Sequence, residues 1–391
     1  MDKDRNEARS RTAAFQLALR NRGIARAVLS DEASIAYLGA CWGYLGMDFG
    51  RPTLLHVPAS GSPTLITPTL EAAMLREMTW IDAVEPWDDA GERSWAAVLD
   101  ATLNTCNDDV SGSVAVERSR LLPVVSDALH KRYGSAALLD VTPVLAELRM
   151  IKSAHEIDVM RKAGRVAAAM MHAAHASLAV GVCEWESSLA AAQAGTKAAA
   201  ALLGDSGWER FVSPVIHALP IVQSGADTAM VHRRACNKRY ARGDPVYFCF
   251  CNQAEFKHYR LGFDRLFHIG EISETDARVQ QAALDAQAAA IGAIRPGVLA
   301  EDVAAAADAV YAERGYTTGY RTGRSIGMAY LESPELKPGD KTVLREGMTF
   351  AVDGGISIDG SGGRIGDSVV VTADGCEYLT EYPREIIVVP A

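Results

Sequence analysis

The chain has 391 residues, too many for one small domain at roughly 150 residues per domain and enough to bury a large core. Hydrophobic residues at 49% and charged residues at 23% are ordinary for a folded globular protein and do not point to disorder. The net charge of −10 argues against a nucleic-acid-binding surface or a polybasic membrane contact and favours a small-molecule partner.

No segment offers the roughly 18 uninterrupted apolar residues of a membrane span. The start, MDKDRNEARSR, lacks the apolar core of a signal peptide, so a cytoplasmic protein is expected. The seven cysteines (41, 106, 183, 236, 249, 251 and 376) are scattered, which disfavours a disulfide framework. Cys249 and Cys251 stand two apart on one strand and so share a face. A metal–thiolate site has to be considered there, but no second cysteine pair follows, and packing in a core strand is the preferred expectation.

Residues 5–22 form an amphipathic helix with Ala13, Phe15, Leu17 and Leu19 among charges, and 25–30 a buried strand. A helix at 33–39, strands at 53–57 and 64–67, a helix at 68–77, a polar loop near 86–92, a helix at 94–105, the strand SVAVE (113–117) and a helix at 124–133 complete an α/β unit. The boundary is expected at 146/147. Ser153 and Glu156 have capping-box spacing ahead of Ile157, Met160, Ala163, Ala167 and Met171, so a long helix starts near 153. His172 and His175 on it read as core or surface histidines rather than ligands.

A helix at 184–202 leads to the segment FVSPVIHALPIVQSGADTAMVH. A hairpin follows at 243–268, with strands Val246 to Cys251 and Tyr259 to Phe267 around a polar turn. Helices at 274–293 and 299–313 flank an Arg-Pro-Gly stop, and the last eighty or so residues are short strands with glycine turns. Helices grouped apart from strands give an α+β second domain over 147–391.

The joint LRMIKSAHEIDVMRKA, the loop QSGADTAMVH, the hairpin GDPVYF, and GRSIGMAYLESP, LREGMTFAVDGG and GGRIGDSVVVTADG stand in the order and spacing of the creatinase/aminopeptidase P/prolidase family, which this chain resembles over 147–388. The resemblance implies a pita-bread catalytic domain, a smaller ribonuclease H-like α/β domain at 1–146, and a homodimer. Peptidases of that family hold two metal ions with two Asp, one His and two Glu. Carried over, the Asp positions fall on Cys249 and Gly262, the His on Arg324, and the Glu positions on Asp353 and Gly366. One carboxylate remains, and an arginine inside such a shell repels cations, so neither a catalytic metal nor any other cofactor is expected.

The metal-free creatinase branch matches further at His232, Asp264 and Asp353, and at Phe49-Gly50-Arg51, the tripeptide by which one creatinase subunit reaches its partner's site. The resemblance therefore implies a creatinase-like, metal-independent hydrolase of a C–N bond in a small zwitterion carrying an amidine or guanidine. His232 would be base and acid, since imidazole exchanges protons near neutrality. Asp264 and Asp353 would clamp the cation, and Arg51 from the neighbouring subunit, with Phe49 beside it and Arg324, would hold the carboxylate. Arg324 is equally suited to an ion pair with Asp353. Tyr259, Tyr330 and Glu332 line the same motifs, as substrate-binding groups, as supports behind them or as plain packing. The rivals are an ectoine-type cyclic amidine hydrolase, a pita-bread binding module without catalysis, and, disfavoured, a metal-dependent Xaa-Pro peptidase or lyase.

Overall fold

A computed structural model of the chain describes residues 1–46, 49–104, 114–204, 206–216, 221–319 and 321–391. The chain divides into two compact units, Met1–Leu148 with Ser206–Phe211, and Arg149–Asp205 with Val212–Ala391. No helix among the described residues is long and apolar enough to cross a membrane.

In the first unit six strands, β1 (Arg26–Leu29), β2 (Leu54–Pro58), β3 (Thr64–Pro68), β4 (Ala83–Trp87), β5 (Val114–Val116) and β6 (Leu138–Asp140), form one sheet in the order β4-β3-β2-β1-β5-β6. Pairing is antiparallel from β1 to β2 to β3 and parallel elsewhere, the mixture expected where helices cross between strands. The first helix, Asp2–Asn21, buries Phe15 and Leu19, whereas Leu17 of the predicted face is 51% exposed. β4 lies partly in the stretch expected to be a loop. Its Val84 and Trp87 are buried, and pairing with β3 overrides the prolines and charges around it. Residues 47–48, 105 and 113 of the predicted elements, with Cys106, lie outside the described residues.

The second unit is built on a nine-stranded sheet. Its strands are β7 (Ile221–Ser224), β8 (Pro245–Cys249), β11 (Asp264–Ile269), β12 (Gly323–Ser325), β13 (Glu332–Leu336), β14 (Thr349–Ile358), β15 (Ser361–Val371), β16 (Cys376–Tyr378) and β17 (Ile387–Val389), while β9 (Glu255–Phe256) and β10 (Tyr259–Arg260) pair separately. The main path runs β13-β12-β14-β15-β11-β8-β7, with β16 on β15 and β17 on β11. The helix Glu274–Ala293 packs on β14 and β15 so closely that a Cβ on Gly354 would lie 2.2 Å from the Ala283 carbonyl oxygen. Val279, Ala286, Val352 and Val369 are among the residues that close the core between them. The helix Ala154–Ala176 begins with the predicted capping box, Ser153 Oγ accepting from the Glu156 amide at 3.1 Å and Glu156 Oε2 accepting from the Ser153 amide at 2.9 Å.

The hairpin at 243–268 departs from the expected pair of continuous strands. Asn252, Lys257 and His258 adopt φ of +68°, +51° and +65°, and the return strand breaks into β10 and β11 around Gly262. The same chain thus makes a small hairpin, β9–β10, before it rejoins the sheet at Asp264. Residues 217–220 of the segment before β7 lie outside the described residues.

Candidate functional site

Strand register assembles the site. Asp264 on β11 pairs directly with Cys249 on β8 and, on its other side, with Gly366 on β15, which in turn pairs with Asp353 on β14. Residues opposite one another in antiparallel strands point to the same face, so Cys249, Asp264 and Asp353 project together. Gly366, between the two aspartates, has no side chain to separate them. A Cβ there would lie 2.1 Å from Asp264 Oδ2 and 2.9 Å from Asp353 Oδ1, so the carboxylates occupy the space a side chain at 366 would need.

Arg324 reaches this row from β12, where it pairs with Ala351, two residues before Asp353 and hence on the same face. Arg324 Nη1 donates to Asp353 Oδ2 at 2.8 Å. Nη2 donates to the Tyr330 hydroxyl, and the guanidinium lies 4.3 Å from the centre of the Tyr330 ring. A Cβ at Gly262 would meet Ala351 Cβ at 2.5 Å and Arg324 Nη2 at 3.2 Å, so this glycine admits the arginine. Of the two roles open to Arg324, the structure displays the ion pair with Asp353.

The charges are only partly matched. Asp264 is 3% exposed, and its Oδ1 has no hydrogen-bond partner among the described residues; Asp353 Oδ1 has none either. Burial, with the negative charge of Cys251 and Asp353 added, pushes the Asp264 carboxyl well above the usual carboxylate range. Cys251 is pushed down to about 6, first by a hydrogen bond from Cys249 and, against burial, by the Arg324 cation. The same bond, together with burial, raises Cys249. Tyr330 is raised by burial and by Cys251.

The structure thus brings Asp264, Asp353, Arg324 and Tyr330 together and adds Cys249 and Cys251, which the sequence reading assigned to packing. The Cys-x-Cys alternation on a strand was the signal for them. Tyr259 is elsewhere in purpose: its hydroxyl bonds Glu156 Oε1 at 3.0 Å, tying β10 to the capped helix. Glu332 forms a buried ion pair with Lys152 Nζ at 2.8 Å and accepts from the Ala329 amide, which holds the turn before β13. His232 is exposed in the turn after the Gly225–Ala229 3-10 segment; its carbonyl accepts from Arg234 Nη1 at 3.0 Å, and it joins none of the contacts above. In the first unit Arg51 pairs with Asp89 at 2.7 Å, and Phe49, 59% exposed, packs edge-on against Tyr44.

The two-ion centre that the resemblance implies does not fit these residues. Of the five ligand positions, Gly262 and Gly366 carry no donor and their side-chain space is taken; Arg324 is cationic; Asp353 is bound to Arg324; and Cys249 offers sulfur. A bridged pair of hard ions needs several carboxylate oxygens, which this set lacks.

The profile of metallopeptidase family M24 matches residues 158–373, and that of the creatinase/prolidase N-terminal domain matches residues 11–151. The chain is 31% identical to a Mycobacterium tuberculosis protein named probable dipeptidase PepE, over 97% of this chain and 96% of the relative. It is 29% identical to the agropine synthesis cyclase of Rhizobium rhizogenes over 95% of each, and 30% identical to the Xaa-Pro dipeptidase of Pyrococcus furiosus over 83% of this chain and 86% of that protein. Among solved structures, dipeptidase PepE from Mycobacterium ulcerans superposes with a TM-score of 0.83 at 29% identity, covering 99% of both chains. These relatives overturn the expectation of a metal-independent hydrolase of amidine or guanidino C–N bonds: full-length likeness runs to dipeptidases and Xaa-Pro dipeptidases. The motif positions point to creatinase through their lost ligands, whereas the likeness to a named dipeptidase extends along 97% of the chain.

Proposed function

The chain belongs to metallopeptidase family M24, its domain preceded by a creatinase/prolidase N-terminal domain, and from that premise we propose that it hydrolyses the amide bond of a small dipeptide-type substrate on the Asp264–Asp353 face of the sheet. The observation that carries this is the 31% identity to a named dipeptidase along 97% of the chain, a likeness of both units and not of isolated motifs. In the reaction a water oxygen joins the acyl carbon, the C–N bond breaks, and the departing nitrogen takes a proton.

A dipeptide carries an ammonium and a carboxylate. The Asp353 carboxylate suits the first, while Arg324, whose Nε has no hydrogen-bond partner among the described residues, suits the second. His232 is proposed as the proton carrier, and Phe49 and Arg51 as contacts to the neighbouring site in a homodimer. A second reading, a ring-closing enzyme acting on a small acyl compound, is favoured by the loss of the two-ion donor set together with the likeness to agropine synthesis cyclase.

Mass spectrometry of a substrate panel separates the two. Dipeptides, including Xaa-Pro forms, are expected to be converted into two products whose summed mass is greater by one water. Conversion of open-chain hydroxy or amino acids with loss of one water, and no dipeptide turnover, would establish the ring-closing reading instead.

A further inference from the structure

Cys249 ends β8 directly opposite Asp264, and Cys251 follows two residues later, just before the left-handed residue Asn252. The two Sγ atoms and a carboxylate oxygen of Asp264 all lie within 4.8 Å of one another. Ligands of a tetrahedral zinc ion, with Zn–S near 2.3 Å and Zn–O near 2.1 Å, stand roughly 3.5–3.8 Å apart, so closing the three atoms around an ion requires shifts of about 1 Å.

A second observation is independent of that spacing. Asp264 is 3% exposed, yet its Oδ1 accepts no hydrogen bond among the described residues. Its neighbour Arg265 does not serve it: Nη1 donates to the Asp264 main-chain oxygen and to the Gly366 carbonyl, and Nη2 pairs with Asp367 at 2.9 Å. Two further arginines of the face are committed elsewhere, Arg324 to Asp353 and Tyr330 and Arg364 to the Ile356 and Gly363 carbonyls and the Ser357 hydroxyl. A buried carboxylate oxygen without a donor is costly, and the carboxyl that carries it lies beside two sulfurs.

We infer that Cys249, Cys251 and Asp264 form a mononuclear site for a soft divalent cation of the zinc class, with one coordination position left open toward the Asp353–Arg324 side of the sheet. Two thiolates and one carboxylate carry three negative charges, two of which the ion offsets. Two sulfur ligands select zinc, cobalt or cadmium over magnesium, calcium or manganese, which require oxygen shells. Three protein ligands with an open position are the arrangement of a catalytic rather than a structural zinc site. The occupation of the 366 space by the two aspartate carboxylates and the sulfur donors of Cys249 and Cys251 suit one soft ion rather than a pair of hard ones.

The test reads the metal directly and does not depend on which substrate is turned over. Chelator-treated, dialysed full-length protein is titrated with cobalt(II), and the near-ultraviolet thiolate-to-cobalt charge-transfer band is followed, with zinc(II) then added in competition. The expected result is one equivalent bound with a charge-transfer band that zinc abolishes. Cys251→Ser loses most of the band and weakens zinc binding by roughly a hundredfold or more, and Asp264→Asn weakens it by roughly tenfold or more while the sulfur band persists. Cys236→Ser, which alters an exposed cysteine elsewhere in the unit, leaves titration unchanged. Absence of the band, binding of two equivalents without it, or titration unaltered by Asp264→Asn or Cys251→Ser overturns the inference. Should Cys251→Ser fail to fold, Asp264→Asn and the band of the parent protein decide.

Discussion

Replacing Arg324 by leucine removes the cation that holds the site face together. The side chains of Arg324 and Asp353 are 5% and 24% exposed, and their 2.8 Å contact is the hydrogen-bonded arm of the row. Breaking a buried pair by deleting one partner costs about 3–5 kcal/mol, because a charge is left without compensation. Water reaches part of Asp353, which reduces this, whereas loss of the stacking on Tyr330 adds about 1 kcal/mol. The net expectation is about 3 kcal/mol, or roughly 6–12 °C in the melting temperature of a unit this size. Circular dichroism melts and urea titrations of chelator-treated protein measure it. Arg324→Leu combined with Asp353→Leu is expected to recover at least about 1 kcal/mol relative to the sum of the single variants, since the orphaned carboxylate is gone. A single variant within about 0.5 kcal/mol of the parent, or strict additivity, refutes the reasoning.

Other expectations follow from the same geometry. His268 on β11 is fully buried, neither ring nitrogen has a hydrogen-bond partner among the described residues, and burial lowers its pKa to about 4. The unfolded chain, titrating near 6.5, takes up a proton that the folded chain refuses, so stability is full above about pH 6.5 and falls by about 3 kcal/mol toward pH 4. Urea midpoints of the parent and of His268→Leu between pH 4 and 7 check this, with a flatter profile expected for the variant. Gly366→Ala forces the Asp264 carboxylate aside and is expected to cost about 1–3 kcal/mol in denaturant titrations. Glu184, fully buried at the start of the Glu184–Leu203 helix, accepts from Arg233, Ser224 and the Cys236 amide. Glu184→Gln leaves the part-buried Arg233 guanidinium with Asp227 as its counter-charge, and about 1–3 kcal/mol of stability is expected to be lost by the same measurement.

Much of the fold was legible because it is local. The helix Glu274–Ala293 ends before the Arg-Pro-Gly stop and spans the residues predicted, and Ser153 with Glu156 marked the start of the long helix. β4 was missed since its strand character comes from a neighbour, β3, and not from its own residues. The hairpin break at 252–263 was missed because three non-glycine residues there adopt left-handed backbone conformations, which hydrophobic periodicity does not encode.

At the site, the convergence of Asp264 and Asp353 and the proximity of Arg324 were legible from motif order. The bonds of Glu332 and Tyr259 were not legible because their partners, Lys152 and Glu156, lie 180 and 103 residues away in sequence. The cysteines illustrate the opposite case. Alternation put Cys249 and Cys251 on one face, but only the register of β8 against β11 places Asp264 beside them. Function was legible to the level of the family and no further, since missing ligands describe what a site has lost and not what it now binds.

The most direct measurement is turnover of a dipeptide in water enriched in heavy oxygen, followed by mass spectrometry of the released acyl fragment, in the parent and in Asp353→Asn. One heavy oxygen in the new carboxylate, with turnover reduced at least a hundredfold in the variant, is the predicted result. Release without solvent oxygen, no dipeptide cleavage at all, or full activity in Asp353→Asn contradicts the assignment of amide hydrolysis to this face of the sheet.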